Sequence, residues 1–484
     1  MKKYDVIVIG SGTGGLVSAG ILASRGLKTL MIEKHVTPGG YLSSFKRRGF
    51  VFDSAIDCIS GVSPGGLIYR TLETLGVADE IRFLRIDPIR VSRFPDFDIH
   101  VDSDANAYRE RLAGLFPSES SAIKAFFEKI LSVYYELNSA VQAIISGGFA
   151  FKSVSPETLK LMNRSYGELL EEYFHDHRLK AALSDRCPFI GLPPENVSAA
   201  AIISMMMSYF ELGSFRPEGG FQKLADIFVE GIRRNGGDVI FGAEAEKILL
   251  DEKDSCRGIR LGNGEEYTSK YVISNADFIF TFSTLLGGKY RQTAVEKMRN
   301  PGLSTSFFIL YAGVEGDLNT HSSLGYYPSY DMSVFFHAGM EFREDSTLGV
   351  TVATKEDSSR APQGFHTAVF HEMVGTSGRK LDKERCVDSI LGKAERIFPD
   401  LREKIREVEA ATPSTLERYT GNCRGAAFGW RQIPGFRGAG RHEVGNLYIT
   451  GHWGDFGGGV LAAAYSGAKT AAEILAMEGI RDVL

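Results

Sequence analysis

This sequence lacks several features that would mark a particular chemistry. Its 484 residues include only five cysteines, Cys58, Cys187, Cys256, Cys386 and Cys423, none in Cys-x-x-Cys spacing. That scatter argues against a disulfide framework, a thiolate metal centre and a redox dithiol, and it fits free thiols in a reducing compartment. The ten histidines are dispersed, with no His-x-x-x-His pair, so no metal site is expected. Positive charge is not in excess. The formal net charge of −5 argues against a general nucleic-acid binder. No apolar run reaches the ~18 residues a membrane span needs. The longest, Val197 to Phe210, reads as a buried helix wall. The lysines at the start precede an apolar run only a strand long, so no secretion signal is expected. The hydrophobic share of 43% and charged share of 24% are those of an ordinary globular protein, and the length implies two or more structural units.

What is present begins at once. In VIVIGSGTGGLVSAG, residues 6–20, a buried strand runs into glycines and then into a helical pattern. Tyr4 to Ile9 predicts a strand of a parallel sheet. Gly10, Gly12 and Gly15 form G-x-G-x-x-G: the first permits a tight turn, the second lets a pyrophosphate approach the backbone, and the third lets the helix pack on the strand. The helix, expected from about Thr13 to Ser24, points free N–H groups and its dipole at the phosphates. Arg25-Gly26 closes it, and Leu27 to Ile32 predicts a second strand ending at Glu33. That acid lies 18 residues after Gly15, near the offset for binding ribose hydroxyls, and it disfavours a 2′-phosphate. Thr13, Gly14 and Lys34 join these as cofactor-binding positions. Gly39-Gly40 sits where the chain must leave the nucleotide and turn back. The hydroxyls of Ser43 and Ser44 could donate to phosphate or simply finish a turn. The loop by itself does not separate FAD from NAD.

The following segment, GGYLSSFKRRGFVFDSA, resembles the flavoprotein superfamily of amine oxidases and phytoene desaturases, and within it the desaturase, carotenoid-isomerase and retinol-saturase branch. The resemblance extends over nearly the whole chain. Residues 216–248, RPEGGFQKLADIFVEGIRRNGGDVIFGAEAEKI, resemble the family's return to its FAD domain, which implies an adenine contact at Ala245. Residues 412–430 match a further stretch of this branch. Residues 446–475, NLYITGHWGDFGGGVLAAAYSGAKTAAEIL, resemble the second flavin contact, which implicates Gly451, Gly458, Gly459 and Val460. Here the chain departs from the pattern: Gly451-His452 stands where the family usually has Gly-Asp, with Asp455 three residues later as a substitute.

The resemblance implies FAD as cofactor and an α/β fold. A Rossmann-like FAD-binding domain of the glutathione-reductase and amine-oxidase type is assembled from 1–104, 213–300 and 405–484. A substrate domain of mixed sheet and helical lid takes 105–212 and 301–404. Residues 105–212 show helical spacing and 303–374 alternate as strands. Phe149, Phe151, Met205, Met206, Met207, Tyr209 and Phe210 would suit a long apolar ligand or an ordinary helical core. Asp57 and His452 are the catalytic candidates, with a structural role as the alternative for each. No second G-x-G-x-x-G unit is found, so the electron donor or acceptor stays open. The expected function is an FAD-dependent oxidoreductase acting on carbon–carbon double bonds of a lipophilic isoprenoid. An amine-oxidase-like enzyme and a flavin-holding binding protein are the rivals. The expected location is cytoplasmic, with peripheral contact at the inner face of a membrane left open, as is the oligomeric state.

Overall fold

The computed structural model describes residues 2–146, 154–336, 343, 345–376, 378, 380–436, 438 and 444–484. The first strand, Lys2–Ile9, lies at the centre of a seven-stranded sheet. Thr29–Ile32 and Glu266–Ser274 pair with it in parallel on either side. Asp238–Ile240 extends the parallel array past Thr29–Ile32, and Leu447–Ile449 extends it past Glu266–Ser274. Cys256–Leu261 and Ala245–Leu250 add an antiparallel ribbon. Val6, Ile7 and Val8 are fully buried, as expected of a strand covered on both faces. The second strand begins at Thr29 rather than at Leu27.

Helix Thr13–Ser24 is buried nearly all round, because three other helices surround it: Leu67–Thr74, Phe221–Arg234 and Val460–Met477. It is small-residue-rich for that reason. A Cβ on Gly467 of the C-terminal helix would lie 2.4 Å from the Gly14 carbonyl oxygen. Gly26, at φ +82°, turns the chain out of the helix toward the second strand.

The second sheet also has seven strands, in the order Ile405–Ala411, Ser306–Glu315, Phe365–Val374, Leu348–Thr351, Ser323–Tyr326, Arg90–Arg93, Asp98–Val101. All neighbours are antiparallel except Ser323–Tyr326 with Arg90–Arg93. Strand alternation divides its side chains. Phe308, Leu310 and Ala312 pack with Ile390 and Ala394 of helix Lys383–Glu395, whereas Phe307 and Ile309 face the opposite way, into a cavity. This pairing shifts two expected boundaries. Strands Arg90–Arg93 and Asp98–Val101, placed by sequence with the nucleotide segments, belong to the second sheet, and so does Ile405–Ala411. Short strands with few residues to pattern carry no mark of which sheet they will join.

Residues 105–212 form the helical layer: Ala105–Leu115, Ser120–Ile145, Pro156–Leu161, Tyr166–Tyr173, His177–Leu183 and Ala199–Leu212. Side-chain caps fix their starts, Asp104, Ser155, Ser165 and Asp176 each accepting a backbone N–H, with Glu168 completing a capping box at Ser165. Met206 and Met207 are core residues, Phe210 packs against that core, and Met205 and Tyr209 face the cavity. Phe149 and Phe151 lie outside the described residues.

Candidate active site

The two sheets and the helical layer enclose one continuous cavity of about 1080 Å³. One end lies at the C-terminal ends of the parallel strands, where ligands of open α/β sheets bind. Gly10, at φ +93°, donates its N–H to the Ile32 carbonyl (2.8 Å), which sets the turn out of the first strand. A Cβ at position 15 would sit 2.2 Å from the Gly10 carbonyl oxygen, and one at position 14 would sit 2.4 Å from the Gly451 nitrogen. Gly15 therefore serves helix-on-strand packing and does not line the cavity; Gly10, Gly12, Thr13 and Gly14 do.

Glu33 is buried, and both of its oxygens hold the loop. Oε2 accepts the Ser11 N–H (2.9 Å) and hydroxyl (2.6 Å), and Oε1 accepts the His35 N–H (2.9 Å). Oε1, with one bond, keeps a lone pair for a ligand hydroxyl. Gly39 donates to the Ser11 carbonyl (3.1 Å), and Gly39 and Gly40 line the cavity beside Lys34. Ser43 and Ser44 do not line it. The Ser43 hydroxyl donates to that of Ser54. The Ser44 hydroxyl donates to Asp53 (2.6 Å) and accepts the Gln222 N–H (3.1 Å), tying strand Ser44–Arg47 to its partner strand and to the start of helix Phe221–Arg234. Ala245 opens an edge strand and lines the cavity with Ala243 and Glu244.

From the other end of the chain, Gly451, His452, Asp455, Gly458, Gly459 and Val460 all line the cavity. Gly459, at φ +108°, precedes the first turn of helix Val460–Met477, and a Cβ there would meet nothing within 4 Å. Two helix N-termini, at Thr13 and Val460, thus open on one space. Asp455 pairs with Lys469 (2.9 Å), another lining residue.

The two catalytic candidates are placed differently. Asp57 reaches the cavity, but its carboxylate is fully engaged: Arg216 donates to Oδ1, as does Thr351 (2.9 Å), and Ser323 donates to Oδ2. Burial works against its charge, yet the Arg216 guanidinium and the Ser323 hydroxyl outweigh burial and hold the carboxyl below its usual range. An ionised carboxylate held by three donors is a structural pin and a poor proton carrier. His452 is half-buried on the cavity wall, and its removal from solvent lowers its pKa to about 4 despite a nearby Ala427 carbonyl. Its Nε2 lies 3.1 Å from Asn422 Oδ1, which already accepts the Trp453 indole N–H (2.9 Å). The imidazole is therefore neutral at pH 7, with its Nε2–H donated to that oxygen.

Three residues at this end escape the motif reading. Asn275 follows strand Glu266–Ser274 and fills the space bounded by Gly12, Gly14 and Gly451, whose added Cβ atoms would lie 2.7, 2.8 and 2.4 Å from its amide. Asp277 lines the cavity, accepts the N–H groups of Phe280 and Cys423, and is pushed up to about 6 by burial against those bonds. Tyr41 donates to the Ala426 carbonyl (3.0 Å). The available signal was Ser274-Asn275-Ala276-Asp277, polar residues at the end of the strand beside the glycine-loop strand.

These features fit a dinucleotide. Two glycine-bearing helix starts offer unpaired N–H groups to phosphate and ring oxygen, a buried carboxylate stands for ribose, and the cavity exceeds the ~300–1,000 Å³ of a single drug-sized ligand. A family profile described as flavin containing amine oxidoreductase matches residues 13–475. The chain belongs to that family. Its cofactor is FAD, and the protein is a flavin-dependent oxidoreductase. Two curated relatives of this oxidoreductase are each 28% identical. One is prolycopene isomerase 1, chloroplastic, of an Oncidium hybrid cultivar, covering 99% of this chain and 85% of that one. The other is human all-trans-retinol 13,14-reductase, covering 93% and 82%. A crystal structure of an oxidoreductase from Methanosarcina mazei superposes with a TM-score of 0.71 at 20% identity over 97% of this chain and 100% of that one, which supports the fold.

Proposed function

We propose that this flavoenzyme acts on carbon–carbon double bonds of a lipophilic, conjugated isoprenoid, by isomerising, saturating or desaturating it. The observation that carries this reading is the continuity of the cavity. Beyond the nucleotide end it passes between helix Ala199–Leu212 and the second sheet, where Met205, Tyr209, Phe189, Phe307, Val369 and Met373 form the walls. Thioethers and flat rings suit a long, apolar, planar ligand. The two relatives, by name an isomerase and a reductase of polyenes, point the same way and away from a polar amine.

In this reading Gly10, Gly12, Thr13, Gly14, Gly39 and Gly40 present backbone to the diphosphate, Glu33 takes the ribose, and Ala245 takes the adenine. Gly451, Gly458, Gly459 and Val460 meet the flavin half. FAD supplies the hydride-accepting and hydride-donating ring. The protein's part is to exclude water, to lay a double bond against that ring and to keep titrating groups quiet: His452 neutral, Asp57 pinned. His371, on the apolar side, is likewise lowered to about 4 by burial and by the nearby Arg90 charge, with Asp57 opposing.

The test is incubation of flavin-loaded protein with detergent-solubilised prolycopene, lycopene, phytoene and retinol, under both oxidising and dithionite-reducing conditions. A changed polyene spectrum with one of them is expected. Unchanged polyenes under both conditions, or peroxide release with amines instead, would overturn the reading. Among the described residues no helix is long and apolar enough to cross a membrane. We place the protein in the cytoplasm and take peripheral contact through the helical layer, where Leu115, Tyr135 and Leu159 are exposed, as the route by which a lipid-borne substrate arrives.

A further inference from the structure

One charge in the cavity takes no part in holding the nucleotide. Arg90, on strand Arg90–Arg93, lines the cavity at 3% exposure, and its Nε and Nη1 have no hydrogen-bond partner among the described residues. A guanidinium remains protonated at any pH the fold survives, and buried donors left unpaired are costly. The nearby carboxylates are committed elsewhere. Asp57 and Glu356 both hold Arg216, and Asp185 accepts from Ser92 (2.6 Å) and faces Arg186 (3.8 Å). Its Cζ lies 5.2 Å from the Phe189 ring, which Arg186 also approaches at 5.0 Å. The position is built. A Cβ at Gly325 would come within 2.3 Å of Arg90 Nη2, so a glycine on the neighbouring strand makes room for the guanidinium.

We propose that Arg90 anchors an oxygen carried at one end of the substrate, a carbonyl or carboxylate oxygen accepting from the guanidinium while the hydrocarbon remainder lies against the apolar walls. The substrate is then an oxygenated polyene and not a bare hydrocarbon. This rests on the polyene reading above and narrows it. An oxygen acceptor at this point gives the orphaned donors their partner, and it fixes the register of the chain in a cavity whose other walls offer mainly dispersion. A site built to hydrogen-bond an oxygen discriminates strongly against the analogue lacking it.

The experiment uses the flavin-loaded full chain and two fluorescent probes presented from the same micelles: cis-parinaric acid, a conjugated tetraene carboxylate, and the hydrocarbon octadecatetraene of equal length and conjugation. The wild type is expected to bind the acid about tenfold or more tightly than the hydrocarbon, the scale of a charge-assisted hydrogen bond. Arg90→Met, which keeps the stem and removes the donors, should abolish that preference and leave hydrocarbon binding unchanged, and Arg90→Lys should keep part of it. Equal wild-type affinities, or an equal loss for both probes in Arg90→Met, would overturn the anchor and leave the polyene reading standing. Binding of neither probe would overturn both. The wild-type comparison needs no variant, so an Arg90→Met chain that fails to load flavin leaves the test decisive.

Discussion

Glu33 closes the glycine loop with both of its oxygens, so its charge acts on the loop before any ribose arrives. Glu33→Gln puts an amide donor opposite the Ser11 or the His35 N–H. Hydrogen bonds to a charged group contribute about 1.5–3 kcal/mol, so FAD affinity should fall by roughly tenfold to a hundredfold. Titration of the apoprotein by flavin fluorescence measures it, and an unchanged Kd would refute this role. Two half-buried histidines set the acid limit. His371 and His452 are each held at about 4, chiefly by burial, against an ordinary value of 6.5. Between those values the unfolded chain binds more protons than the folded one, so stability is complete above 6.5 and declines as pH falls toward 4. Asp277 works the other way. Burial raises it to about 6, so its contribution is full below the ordinary value of 3.8 and is lost as pH rises through 6. Two histidines outweigh one aspartate, and the melting temperature should drop between pH 7 and pH 5. Replacing His452 by Asn should shallow that slope; a parallel profile in the variant would show that the imidazole does not contribute.

At the scale of elements, helices Thr13–Ser24 and Val460–Met477 lie so close that the second carries no side chain at Gly467, where the Gly14 carbonyl oxygen comes up. Their contact also aligns the two N-termini that open on the cavity. Gly467→Ala must push the helices apart, with an overpacking cost of about 1–3 kcal/mol, and it should move both phosphate- and flavin-facing starts. The expected result is a lower melting temperature together with a lower flavin content after purification. Gly392→Ala is the control: that exposed helix position meets nothing within 4 Å and should gain up to about 1 kcal/mol, with flavin retained. The same elements show what was legible beforehand. Strand Lys2–Ile9, helix Thr13–Ser24 and the acid at 33 could be read because one local unit holds turn, helix and acid at fixed offsets. Ser43 and Ser44 were ambiguous because a hydroxyl suits a turn as well as a phosphate; in the fold Ser43 turns to Ser54 and Ser44 to the tertiary partners Asp53 and Gln222. Arg90 was not legible, and Asn275 and Asp277 showed only as polar residues at a strand end. Their meaning depends on strands from distant segments meeting edge to edge, which no local spacing records.

For the whole molecule, the decisive junction is Arg216. At 2% exposure it joins three stretches: Asp57 near the nucleotide segments, Glu356 between strands of the second sheet, and the Ser322 carbonyl. Asp53 with Arg360 (2.7 Å) makes a second such tie. Both join the cofactor layer to the substrate layer from beside the cavity, so the relation of flavin to substrate wall is fixed by buried ion pairs as well as by apolar packing. A pair of this kind adds little over a well-packed apolar substitute, but removing one partner strands a buried charge at a cost of about 3–5 kcal/mol. Arg216→Met strands two, Asp57 and Glu356. The melting temperature should therefore fall sharply, and saturating FAD should recover part of the loss, since a ligand at a hundred times its Kd contributes about 2.7 kcal/mol. The companion Asp57→Asn, which removes one charge and leaves Arg216 with Glu356, should fall less and keep its flavin spectrum. Calorimetric scans of wild type and both variants, with and without FAD, give the comparison. If Arg216→Met melted no lower than Asp57→Asn, the two layers would be held by packing alone, and the ion pairs would have no part in setting the cavity.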